Sequence, residues 1–243
     1  MLSIAGVAGL PEIEPGADLA ALIMAHGDVA SGDVVVVTSK IVSKAEGRVI
    51  DLADVEPSRF AVRWSEPWEK DPRLVEVVLR ESKRVVRQIG PVLITETHHG
   101  FVCANAGVDQ SSSGAHDRVV VLPEDPDGSA RRLRAGFGAA GADVAVIVSD
   151  TFGRPWREGQ TDIAIGIAGL RPMVSYIGQH DPHGHEFRVQ EVCVVDELAG
   201  AAELVKGNTS RVPVGVIRGF AWAPDDTATM APVLRDSSRD LFR

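Results

Sequence analysis

Aromatic residues make up only 5% of this 243-residue sequence, with a single tyrosine. Its core must therefore be built from Val, Ala, Leu and Ile, within an ordinary globular hydrophobic content of 44%. Cysteine is nearly missing too. Cys103 and Cys193 stand far apart, in no pairing or metal-ligand spacing, which excludes a disulfide framework and a cysteine zinc site. Both are expected to be buried thiols in a reducing compartment. No apolar run approaches the roughly 20 residues of a membrane span. Met1 to Gly6 lacks the basic flank and long apolar core of a signal peptide. The expectation is a cytoplasmic protein without a membrane partner. Basic excess is absent as well. A net charge of −9 argues against a general nucleic-acid or anionic-membrane binder, while leaving room for a local basic pocket.

Several motifs are also wanting. There is no G-x-x-x-x-G-K-[ST] loop and no G-x-S-x-G elbow, which sets aside P-loop enzymes and serine hydrolases of that type. Gly136 to Gly141 spells G-x-G-x-x-G, but a helix precedes it and a strand follows, the reverse of a dinucleotide fingerprint, so it reads as a helix exit. His180, His183 and His185 lie close together around Asp181-Pro182 and Gly184; the spacing suits a polar turn as well as a metal. Cys103 has no identifiable partner as a nucleophile. Repeats, low-complexity tracts and linkers do not occur, so a second domain would have to be made by the chain crossing back and forth.

What is present alternates strand and helix signals, an α+β pattern. Strands are expected over Leu2–Val7, Val34–Thr38, Pro91–Glu96, Phe101–Ala104, Val119–Leu122, Val144–Val148, Val174–Ile177, Val189–Val195 and Val212–Arg218. Helices are expected over Leu19–His26 behind an Asp18 cap, from Pro72 through Val86, over Ala130–Ala140 behind a Ser129 cap, over the small-residue run Thr161–Leu170, and over Glu197–Lys206 behind an Asp196 cap. The residues from Gly219 onward read as a surface-draped tail.

Chemistry concentrates where apolar strands end. Val144 to Val148 runs into Ser149-Asp150-Thr151, and Gly153 and Pro155 then predict that the strand breaks into a loop holding Arg154 and Arg157. The second such place is Asn105 to Gly114, which carries Asp109 and several hydroxyls. Val34–Thr38 empties into Ser39, Lys40, Ser43 and Lys44, which can cradle phosphate or form an ordinary solvated turn. A few hard oxygen ligands, completed by water and phosphate, are what Mg²⁺ or Mn²⁺ prefers, and ammonium groups offset charge on a transferring phosphoryl group. The residues alone point as far as a metal-dependent phosphoryl-transfer enzyme.

Five stretches resemble the coenzyme F420-0:L-glutamate ligase family. They are Gly9-Leu10-Pro11-Glu12-Ile13, Val35 through Arg48, Asn105 through Ser111, Ser149 through Asp162, and Asp196-Glu-Leu-Ala with Glu203-Leu-Val-Lys-Gly207. The likeness runs in the family's order from about Gly9 to Gly219, and is similar to the ligase domain of the two-domain actinobacterial version. Nothing like that version's flavin-binding reductase-like domain occurs here. The resemblance thus leaves 1–243 as a single ligase unit, stand-alone or cut from a longer chain, with a separate reductase-like domain or protein as a conceivable partner.

The resemblance implies a GTP-dependent enzyme that phosphorylates the terminal carboxylate of F420-0 and lets the amine of L-glutamate attack the acyl phosphate, with further γ-linked glutamates on F420 as an extension. It implies two divalent cations (Mg²⁺ or Mn²⁺) and a monovalent one (K⁺). It implies an α+β fold of two interleaved α/β subdomains with mixed sheets, in an intertwined homodimer. Residue by residue, Leu10, Pro11, Glu12 and Ile13 would line the nucleotide, and Ser39, Lys40 and Lys44 its phosphates. Asp109 and Asp150 would hold one metal and act in catalysis. Thr151 would join the shell of the second metal, and Asn208 would stand near a metal. Lys206, Gly207, Asn208 and Thr209 would open a nucleotide loop running to Pro213. Ser112 falls where the family usually has an Asn touching the nucleotide. Arg154 is added as a catalytic candidate on charge alone. A non-catalytic nucleotide- or F420-binding module, and a metal-dependent phosphatase or kinase, remain the competing readings.

Overall fold

The computed structural model describes residues 1–110 and 117–240. The order of its main sheet follows from two valine-rich runs. β2 (Val34–Thr38) and β8 (Ala145–Arg154) lie side by side and parallel, with Val34 opposite Ala145 and Thr38 opposite Ser149. Val34 to Val37 and Ala145 to Val148 are all fully buried, as β-branched strands covered on both faces should be. β12 (Val214–Arg218) and then β1 (Ser3–Val7) extend the sheet antiparallel on one side. β9 (Arg157–Leu170) and the short β13 (Pro224–Asp225) extend it on the other, giving six strands in the order β1-β12-β2-β8-β9-β13.

Alternation decides which helix each face receives. Val35, Val37, Val146 and Val148 pack under α1 (Leu19–His26) and α5 (Pro126–Ala139), through Ile23, Leu133 and Phe137. Val34, Val36, Ala145 and Ile147 pack under α6 (Val194–Lys206), through Leu198, Ala199 and Ala202. Asp18 caps α1 as expected, accepting from the Ala21 amide at 3.0 Å. α5 starts earlier than Ser129, because Asp125 accepts from the Gly128 amide and Pro126 takes the first turn. α6 likewise starts at Val194, and Asp196 instead accepts from the Ala164 amide at 2.9 Å.

After β2 the chain forms a short helix, α2 (Ser39–Ala45), and then leaves the main sheet. Residues 49–120 build smaller layers: β3 (Val49–Asp51) with β7 (Arg118–Val120), and β4 (Ser82–Ile89), β5 (Val92–Thr97) and β6 (Val102–Ala104) against α3 (Arg59–Ser65) and α4 (Pro72–Arg80). Leu52, Val77 and Val119 form one small core there, and Ala61, Val78 and Leu93 another. The chain rejoins the main sheet through α5. β10 (Met173–Ser175) pairs with β11 (Glu191–Cys193) as a separate ribbon. The result is α+β with mixed sheets.

Four expectations are corrected. Thr161–Leu170 is strand, not helix: Ile163 and Ile165 pack on the α1 and α5 side and Ala164 on the α6 side, a register shift then turns Ile167 to the α6 side, and β8 gains an antiparallel partner along its length. β8 does not break at Gly153; it continues to Arg154, and Pro155-Trp156 forms the hairpin turn, so Asp150 and Thr151 sit inside a strand. The helix from Pro72 ends at Arg80, and Val85 and Val86 belong to β4. The tail is not merely draped, since Ala228 and Met230 are buried in the α6-side core. Cys103 is buried and Cys193 half-buried, both free, with burial pushing each thiol up to about 12. No helix among the described residues is long and apolar enough to cross a membrane.

Candidate active site

β2 and β8 run parallel, so both deliver their carboxyl ends to one edge of the sheet. Open sheets bind ligands at that edge. A cavity of about 770 Å³ lies there. Its lining brings together Leu10, Pro11, Glu12 and Ile13 from the loop after β1, Lys40 and Lys44 from α2, Asp150 and Thr151 from β8, and Gly207 and Asn208 after α6. These residues are spread over about two hundred positions of sequence.

α2 ties the acidic groups together. Ser39 donates to the Asp150 carboxylate at 2.8 Å, and the next residue, Lys40, pairs with Asp109 at 2.7 Å. Asp109 itself is clamped to β7 by two backbone hydrogen bonds with Val120, after a turn in which Asn105, Ala106 and Gly107 all take left-handed backbone. Lys44 pairs with Glu12 across the cavity mouth at 2.5 Å. Burial pushes the Asp150 carboxyl up to about 7, against the hydrogen bond from Ser39, which pulls it down. That donor carries no charge to offset a buried carboxylate.

Other candidates fall elsewhere. Asp109, Ser39 and Thr209 stand off the cavity wall, the first two bonded as above. Lys206 is buried behind the wall: its Nζ donates to Asp162 at 2.6 Å and to Ser149 at 2.9 Å. Arg154 is not brought to the cavity. It lies four residues beyond Asp150 in the extended β8, about 13 Å along the strand, and donates to the Glu158 carbonyl at 2.9 Å. Ser112 lies outside the described residues. Asp162, Glu203 and Arg118 also line the cavity, unforeseen from sequence, as does Arg211 of the 206–213 loop. The signal for Asp162 was its place in the hairpin, directly opposite Thr151. Asp181 accepts from the amides of His183 and His185, turn chemistry rather than a metal centre. Among the described residues, no group of three or more His, Cys, Asp or Glu side chains is placed to hold a metal ion. Hydroxyl, amide, water and phosphate oxygens would have to complete any divalent site around Asp150 and Asp109. A hard cation tolerates that donor set, and it would neutralise the buried carboxylate.

An α+β fold with an oxygen-rich, lysine-flanked cavity where the parallel pairing of β2 and β8 ends has the form of an enzyme active site. A family model described as F420-0:Gamma-glutamyl ligase matches residues 8–219, and the chain belongs to that family. The chain is 43% identical to the Coenzyme F420:L-glutamate ligase of Methanothermobacter thermautotrophicus, over 100% of this chain and 99% of the relative. It is 44% identical to the protein of that name in Methanopyrus kandleri, over 96% and 94% of the two chains, and 44% identical to that of Halobacterium salinarum, over 98% and 90%. The protein is a ligase.

Proposed function

We propose that this ligase joins L-glutamate to the terminal carboxylate of F420-0 in coenzyme F420 biosynthesis, with hydrolysis of GTP, and can extend the product with γ-linked glutamates. The observation that carries the reading is one cavity in which Lys40 and Lys44 face Asp150 and Thr151, in a chain matched end to end by ligases of that name. A carboxylate is a poor electrophile. Transfer of the γ-phosphoryl group to it breaks the bond to GDP and gives an acyl phosphate. Attack by the glutamate nitrogen then forms the amide, expels phosphate and releases a proton.

The protein's part is to collect anions and hold them in line. Leu10 to Ile13 would flank the nucleotide, and Lys40, Lys44 and Ser39 its phosphates. Opening the Lys44–Glu12 and Lys40–Asp109 pairs would free both ammonium groups for the incoming phosphates. Asp109 and Asp150 would hold one divalent cation (Mg²⁺ or Mn²⁺), and Thr151 and Asn208 would give oxygens to a second, with K⁺ as the monovalent ion. The cations would supply charge neutralisation of the transferring phosphoryl group. Thr209 and the residues to Pro213 would close over the nucleotide. We further expect a homodimer working in the cytoplasm.

The intermediate can be trapped. With F420-0, GTP and Mn²⁺ but no glutamate, hydroxylamine should yield a hydroxamate of F420-0 together with an equal amount of GDP. GDP release without hydroxamate would contradict the acyl-phosphate route.

A further inference from the structure

From the cavity wall inward runs a polar network in which the proposed chemistry uses neither Asp162 nor Lys206. Lys206 and Asp162 are 1% and 2% exposed, beside an apolar layer of Val, Ile, Leu and Ala. Lys206 Nζ donates to Asp162 Oδ2 at 2.6 Å and to Ser149 Oγ at 2.9 Å, and reaches Thr38 Oγ1 at 3.4 Å. Glu203, one turn back in α6, stands 3.6 Å from the same nitrogen. The ammonium therefore touches both parallel strands where their pairing ends, β2 at its last residue, Thr38, and β8 at Ser149. Asp162 Oδ2 also accepts from Ser149 Oγ at 2.9 Å, and Asp162 Oδ1 accepts from Thr151 Oγ1 at 2.6 Å.

Position explains why these groups meet. β8 and β9 shift register between Val148 and Ser149, so that Thr151 faces Asp162 across the hairpin. Ser149 and Thr151 lie two residues apart on the same side of the strand, toward α6. Lys206 is the last residue of α6. The next residue, Gly207, takes φ 59° and starts the segment that supplies Asn208, Arg211, Val212 and Pro213 to the cavity. An isolated buried ion pair contributes little stability over a well-packed apolar one, so its retention calls for another role.

A hydroxyl has one proton and two lone pairs. When Thr151 gives its proton inward to Asp162, its lone pairs are left for the cavity that Thr151 lines. Resting on the metal-dependent reading above, we propose that Asp162 and Lys206 are positioning residues. Asp162 fixes Thr151 as an oxygen acceptor facing the cavity, and Lys206 pins Asp162 and the start of the 207–213 segment to Thr38 of β2 and Ser149 of β8. Asp162 accepts a hydrogen bond from each hydroxyl, Thr151 at Oδ1 and Ser149 at Oδ2, beside the Lys206 ammonium. An Asn at 162 of the same shape offers one acceptor and one donor. It cannot take protons from both sides, and it turns one hydroxyl the wrong way.

The test is Mn²⁺ binding, measured by calorimetry on the full chain saturated with GDP, so that turnover plays no part. Thr151→Val and Asp162→Asn should each weaken binding by about tenfold or more. Thr151→Ser should stay within about twofold of wild type, since it keeps the hydroxyl. The double variant Asp162→Asn/Thr151→Val should bind no more weakly than Thr151→Val alone, because both act through one oxygen. Circular dichroism checks the fold. If Asp162→Asn unfolds, Asp162→Asn/Lys206→Met, which removes both buried charges, replaces it in the same comparison. Wild-type affinity in the folded Asp162 variant, or an equal further loss when it is added to Thr151→Val, overturns the proposal. A wild type that takes up no Mn²⁺ contradicts the metal-dependent reading and this inference together. A loss seen only for Thr151→Val contradicts this inference alone.

Discussion

Asp150 and Asp33 are both acidic residues on or beside the same pair of strands, with opposite electrostatic fates. Asp150 ends in a cavity, and burial raises its carboxyl to about 7. Asp33 is the residue before β2, at the other end of the sheet. Burial there would raise it too, but a two-armed contact from Arg218, at 2.9 and 2.8 Å, and the Ala30 amide outweigh burial and lower it. The two residues should therefore separate function from stability. Asp150→Asn removes charge where substrate charge is gathered, and kcat should fall by about a thousandfold or more, with an unchanged circular dichroism spectrum. Wild-type activity would mean the site is misplaced. Asp33→Asn should leave kcat alone and cost about 2 kcal/mol at pH 7, read by urea unfolding. The sign of its pH dependence is fixed by linkage. A lowered carboxyl contributes stability above its unfolded value of 3.8 and loses it as pH falls through the folded value. The gap between wild type and variant should narrow as pH falls below 3.8. A gap that persists there would point to packing instead of charge.

Elements follow from sequence where the pattern has one period, and fail where it carries two. The valine runs of β2 and β8, the Asp18 cap of α1 and the helix exit at Gly136–Gly141 were all legible. Thr161–Leu170 was not. Its small and apolar residues fit a helix stripe as well as a strand, and only pairing with β8 decides. That one error hid Asp162, because in a helix it has no reason to face Thr151. Gly153 and Pro155, read as strand breakers, made a loop of Arg154, which the structure carries away on a hairpin. Lys206 was visible as a charge but not as a buried one, since its partners come from β8 and β9. β9 accepts its close neighbours through Gly166, where an added Cβ would stand 2.2 Å from the Pro126 carbonyl oxygen at the start of α5. Gly166→Ala should therefore cost about 2 kcal/mol or more, measured by urea unfolding; a neutral effect would mean that α5 can shift away from β9.

On the scale of the whole molecule, the chain builds its site by leaving and returning. β1, β2 and α2 lay down the 10–13 loop, the lysines and one sheet edge. The 49–120 excursion brings Asp109 back beside Lys40. The return through α5, β8 and β9 adds Asp150, Thr151 and Asp162, and α6 closes the set with Lys206 and Asn208. The sequence motifs marked most of these loops, because small oxygen-bearing residues after an apolar run are conspicuous. Their convergence on one cavity depends on a parallel pairing between residues over a hundred positions apart, which no local pattern reports. Everything above turns on whether this cavity makes an amide from a carboxylate and glutamate. Mass spectrometry of F420-0 incubated with the protein, GTP, Mn²⁺ and L-glutamate decides it. The expected product is heavier by one or more glutamyl units, formed with matching release of GDP and absent when either GTP or glutamate is omitted. Unchanged F420-0 with GTP intact would refute amide formation at this site.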